Sequence, residues 1–113
     1  MYEAAVFRDE GMAKTVVDQL SRIRAVQRSP SSGADARPGP VVSYTGGGHI
    51  QYYLPVPDRV LRRAGSPVRQ VSVYLTAFDP DRKQEVREYL QKRIADYVWL
   101  TPLGAHGSPR RCK

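Results

Sequence analysis

The sequence predicts an α+β domain: a mainly antiparallel sheet of about four strands with two long helices packed on one face, in the order β-α-β-β-α-β-α. Three observations predict it. Met12, Val16, Leu20, Ile23 and Gln27 fall on one helical stripe, with Ala13 and Val17 beside it. Residues 68–78 alternate, with Val71, Val73, Leu75 and Ala77 facing one way and Gln70, Ser72, Tyr74 and Thr76 the other, which is the period of a half-buried strand. Asp79 followed by Pro80 is a cap and first-turn pair for a second long helix, whose apolar face is Val86, Tyr89, Leu90, Ile94, Tyr97 and Val98.

The other elements follow in chain order. Residues 2–7 (YEAAVF) are short and aromatic and read as a first strand. Asp9 or Gly11 opens the first helix, which runs to about residue 27. Residues 28–40 (RSPSSGADARPGP) mix proline, serine and glycine without periodicity and read as a mobile loop. Residues 41–45 (VVSYT) and 49–55 (HIQYYLP) flank Gly46-Gly47-Gly48, which predicts a hairpin. A phosphate cradle is the other use of such glycines, but it leads from a strand into a helix, and here a strand is expected to follow. Pro57 starts a short helix over 58–64, ended by Gly65. Pro102 and Gly104 end the last helix. The expected organisation is one domain over 1–104 and a basic, disordered tail over 105–113.

Of the 113 residues, 18 are Lys or Arg and 11 Asp or Glu, a formal net charge of +7. The positive excess lies in the middle, where residues 21–78 carry eight arginines against Asp35 and Asp58. Arginine presents a planar fork that fits phosphate, so clustered arginine at high pI points to a nucleic-acid partner, with DNA favoured and RNA possible. Arg59, Arg62, Arg63 and Arg69 are the predicted phosphate contacts. Tyr53 and Tyr74, on neighbouring predicted strands, are the predicted stacking residues, with Tyr52 packed inward. Arg22, Arg24 and Arg28 close the first helix, where they also suit its dipole. An acidic protein partner would use the same arginines, and the loop and tail also suit a subunit that orders in a ribonucleoprotein assembly.

No apolar run approaches the ~18 residues of a membrane span. The first eight residues lack a signal-peptide pattern, so the expected location is cytoplasmic. The lone Cys112 allows no internal disulfide and no cysteine-rich zinc site. There is no Ser/His/Asp set and no paired-carboxylate motif, so a small-molecule enzyme has the least support and no cofactor is expected.

Two stretches carry family resemblances. His49 and Gln51 are two apart on a predicted strand, and Tyr89 is followed by Lys92 one turn later on a predicted helix. This pattern resembles the rolling-circle replication initiators of small single-stranded DNA replicons. The resemblance implies that His49 and Gln51 hold Mg²⁺ or Mn²⁺, that Tyr89 attacks a DNA phosphodiester, and that Lys92 supports the reaction. Glu3 is the acid nominated to complete the metal site. The first motif of that family, an aromatic and threonine strand, has no match in residues 1–8. The stretch from Tyr53 to Gly65, with Pro57, Val60, Ala64 and Gly65 at the matching spacing, is similar to AbrB-type DNA-binding domains. That likeness covers about residues 41–78 and implies an intertwined homodimer whose Arg59, Arg62 and Arg63 meet DNA phosphates. Ser66-Pro67-Val68-Arg69 departs from the acidic turn such domains carry.

Overall fold

The computed structural model describes residues 2–28 and 39–103. The expected loop over 28–40, beyond its first residue and its last two, and the tail over 105–113 lie outside the described residues. Helix α1 spans Tyr2–Gln27. The first strand expected over 2–7 is therefore helical. Ala4, Ala5 and Val6 carry no breaker, and adding residues to an existing helix is cheaper than starting a new element. Gly11 sits inside α1 at a cost of about 1 kcal/mol relative to alanine. Helix α2, Val56–Ala64, lies against α1, with Pro57 in its first turn and Gly65 in the left-handed conformation at its C-terminus (φ 62°). Between them sits a small core of Ala13, Val56 and Val60, flanked by Met12, Val16, Val17 and Leu20. Ala13 is fully buried, and its small side chain lets the two backbones approach.

The hairpin expected around the three glycines does not form. Residues 39–46 have no regular secondary structure and pair with no other strand. Gly47–His49 and Gln51–Tyr53 make two short 3-10 turns. Tyr52 and Tyr53 both take left-handed backbone conformations (φ 56° and 61°), which cost roughly 1–2 kcal/mol each outside glycine. The surroundings hold them there. The Tyr52 N–H donates to Ile94 O at 2.8 Å, and the Tyr53 hydroxyl donates to an Asp96 carboxylate oxygen. Gly47 is needed for a close approach, because a Cβ there would lie 2.5 Å from Cε2 of Tyr74. Tyr74 is backed by Tyr89, with ring centroids 5.3 Å apart in an edge-to-face arrangement. Gly47→Ala is thus expected to destabilise by about 1–3 kcal/mol in urea unfolding through overpacking. Gly48→Ala, with nothing within 4 Å, serves as the near-neutral control.

The remainder is one β-α-β unit. Strand β1 (Val73–Phe78) and strand β2 (Tyr97–Pro102) pair in parallel, with Val73 opposite Tyr97 and Leu75 opposite Trp99. Parallel neighbours need a long crossover, supplied here by a 3-10 turn at Pro80–Arg82 and helix α3, Lys83–Gln91. The Asp79 side chain accepts from the Asp81 N–H at 3.0 Å, as its capping role predicts. The antiparallel four-stranded sheet is corrected to this two-stranded parallel one. The last helix ends some ten residues early, with Arg93 in a left-handed turn (φ 48°). Ile94, Tyr97 and Val98 keep the helical phase in sequence, but Tyr97-Val98-Trp99-Leu100-Thr101 is aromatic and β-branched and pairs as a strand instead. No described helix is long and apolar enough to cross a membrane.

Candidate functional site

The arginines of α2 are held by α1. Arg59 Nε donates to Glu10 Oε1 at 2.9 Å, and its Nη1 donates to Pro55 O at 2.7 Å. Arg63 Nε donates to Glu10 Oε2 at 2.8 Å. The hydrogen bond from Arg63 is the main cause that keeps the Glu10 carboxyl below its ordinary range, and the charges of Arg63 and Arg59 add to it. Arg62 pairs with Asp58 one turn earlier at 2.9 Å. Three of the four predicted phosphate contacts are thus engaged with carboxylates of their own chain.

Arg69 is not, and it lies in a different place. Arg24, near the end of α1, donates from Nη1 to Ser66 Oγ at 2.6 Å and from Nη2 to Pro67 O at 3.4 Å. Those bonds fasten α1 to the connection between α2 and β1, which carries Arg69. Arg24 and Arg69 line one cleft of about 810 Å³, whose floor includes Leu20, Val60 and Val73. Among the described residues no carboxylate lines it. Tyr44, from the irregular segment, lines the same cleft and is 90% exposed. Arg22, on the last turns of α1, and Arg28, just past its end, are exposed and pair with no described carboxylate, but neither lines the cleft.

The two predicted stacking tyrosines line the cleft wall but are tied down. The Tyr53 hydroxyl is bound to Asp96 and lies 3.3 Å from Gln70 O. Burial, and then the Asp96 bond, push its ionisation upward. Tyr74 is wedged between Gly47 and Tyr89.

His49 and Gln51 are in 3-10 turns rather than on a strand, so they do not share a strand face. His49 Nδ1 meets Asp9 Oδ1 at 2.6 Å, and Asp9 is buried at 7% exposure. Its carboxylate partner is therefore Asp9, not Glu3, which is exposed in the first turn of α1. Among the described residues no three His, Cys, Asp or Glu side chains converge as a metal site. Tyr89 packs edge-to-face on Tyr74, and Lys92 reaches Glu88 at 3.5 Å on the exposed side of α3.

Sequence reasoning missed Asp9, Glu10 and Asp96 as partners, since each acts across 24 or more residues. It also missed Tyr44, whose position beside the glycines marked it only as strand. No family model, curated protein or solved structure matches the chain.

Proposed function

We propose that the protein is a small, cytoplasmic, non-catalytic nucleic-acid-binding module, and that its binding surface is the mouth of the Arg24–Arg69 cleft. The observation that carries this reading is a cleft lined, among the described residues, by two guanidinium groups, an exposed tyrosine and no carboxylate. Such a surface takes phosphates on arginine and stacks an unpaired base on Tyr44, so single-stranded DNA or RNA fits it. The net charge of +7 adds long-range attraction to the same partner. Arg59 and Arg63 act in this reading as structural links to Glu10 rather than as phosphate contacts.

The test is a titration of labelled single-stranded DNA and RNA across a salt series. Wild type is expected to bind with a clear salt slope. Arg69→Ala should weaken binding several-fold and reduce the slope by roughly one phosphate's worth, about 0.7 in log-log units. Tyr44→Ala should lower affinity by about 1–3 kcal/mol while leaving the slope in place. Salt-independent or absent binding by wild type defeats the reading.

A further inference from the structure

Tyr74 faces α3, where it meets Tyr89. Its neighbours alternate to the other face of the sheet. That face carries Val73, Leu75 and Ala77 from β1, their register partners Tyr97, Trp99 and Thr101 from β2, and Val71 just before β1. Alternation marks Val71, Val73, Leu75 and Ala77 as a core face, yet Val71 is 69% exposed and Leu75 51%. Tyr97 and Trp99 beside them are each 64% exposed. Parallel strands are found with both faces covered, and among the described residues this face is left largely open.

We propose that a second copy of this chain closes the open face, the two sheets packing face to face about a two-fold axis. Two observations favour a second copy over a different protein. The first is the size of the patch. With aromatic side chains presenting up to ~250 Å² each, the exposed part of these residues amounts to roughly 600 Å² per copy, so pairing removes roughly 1,200 Å². That reaches the range of specific stable interfaces. The second is charge. In a two-fold contact a residue near the axis meets its own counterpart, so a charge there repels itself. The seven residues of this face include no charged side chain. The nearest charge in the same row is Arg69, two residues before Val71 and at the edge of the patch. Trp99 and Tyr97 are the residue types that dominate such interfaces when buried at their centre.

Trp99 is the only tryptophan in the chain, so it reports directly on the face that carries it. The experiment follows the full chain by sedimentation equilibrium and by Trp99 emission over the same concentrations, from low micromolar upward. The mass is expected to rise from one chain to two, with emission moving to the blue along the same curve. Leu75→Asp and Val71→Asp are each expected to raise the dissociation constant at least tenfold while keeping the wild-type far-UV spectrum. Val71 lies outside regular structure, so its variant decides the matter if Leu75→Asp fails to fold. A one-chain mass with concentration-independent emission overturns the proposal. So does open-ended growth, or a wild-type dissociation constant in every folded variant. Val71, Val73 and Leu75 also line the Arg24–Arg69 cleft, so nucleic-acid affinity is measured at concentrations where the chain is a single copy, which keeps the two readings separately testable.

Discussion

Val60→Asp is expected to remove most or all of the folding stability and to separate α2 from α1. Val60 is 2% exposed at the centre of the small core shared by the two helices. Its side chain contributes about 1.5–3 kcal/mol by burial. A carboxylate in the same place adds a desolvation penalty of several kcal/mol, with no basic partner in the core to offset it. The combined loss, on the order of 5 kcal/mol, rivals the whole stability of a small domain. Leu61→Asp is the control, because Leu61 is the next residue in the helix but 46% exposed. It is expected to stay within about 0.5 kcal/mol of wild type. Urea unfolding followed by circular dichroism separates the two. A Val60→Asp midpoint equal to wild type means that the α1–α2 core does not hold the fold.

The second large effect concerns the contact between Tyr53 and Asp96. The Asp96 carboxylate accepts from the Tyr53 hydroxyl, from the Ser72 N–H at 2.7 Å and from Ser72 Oγ at 3.2 Å. The Tyr53 bond first, and the Ser72 N–H second, hold its carboxyl below the ordinary aspartate range. A carboxyl lowered in the folded state stabilises that state above its unfolded pKa of about 3.9, and this contribution disappears as pH falls through the lowered folded value. Asp96 is exposed, so solvent screening reduces the gain. Asp96→Asn is expected to be about 1–2 kcal/mol less stable than wild type at neutral pH. The two proteins should converge in strong acid. At the other end of the scale Tyr53 is raised, so its neutral hydroxyl stabilises the fold below about pH 10 and is lost as pH rises through the raised value. Tyr53→Phe should therefore flatten both the acid and the alkaline limbs. Unfolding midpoints across pH check this, and parallel curves for wild type and Asp96→Asn would remove the contact from the stability of the protein.

Legibility in the sequence followed locality. The stripe Met12, Val16, Leu20 marked α1, and Gly65 marked the end of α2, because capping and helical spacing act within a few residues. Asp79 likewise marked the start of the crossover. The hairpin failed because Gly47 serves a contact with Tyr74, a partner 27 positions away, and not a turn between paired strands. The second helix is shorter than its pattern suggests because Ile94, Tyr97 and Val98 continue its phase, while the aromatic and β-branched run from Tyr97 points to a strand. Periodicity and residue type disagreed there, and parallel pairing with β1 decided it. At the site, the surplus of arginine was visible but its distribution was not. Glu10 reaches Arg59 and Arg63 over 49 and 53 residues, and no spacing rule signals such an ion pair. Arg69 alone of the four pairs with no described carboxylate.

The Ser72–Asp96 contact also bears on the order in which the chain assembles. The pairing of Val73 with Tyr97 joins residues 24 positions apart, so no rung of the sheet can form until that length of chain has closed on itself. Closure entropy rises with the length of the flexible part. Once α3 is helical, its nine residues span only about 14 Å and stop contributing freedom to the loop. Ser72 and Asp96 stand at the mouth of that loop, one step ahead of the first rung, and their bonds run in both directions: Ser72 N–H to the carboxylate, and Asp96 N–H to Ser72 Oγ. The helical pair at the N-terminal end closes a longer stretch, since Glu10 meets Arg59 and Arg63 across 49 and 53 residues. The two halves of the molecule therefore have different kinetic gates, and a hydroxyl and a carboxylate form the gate of the sheet.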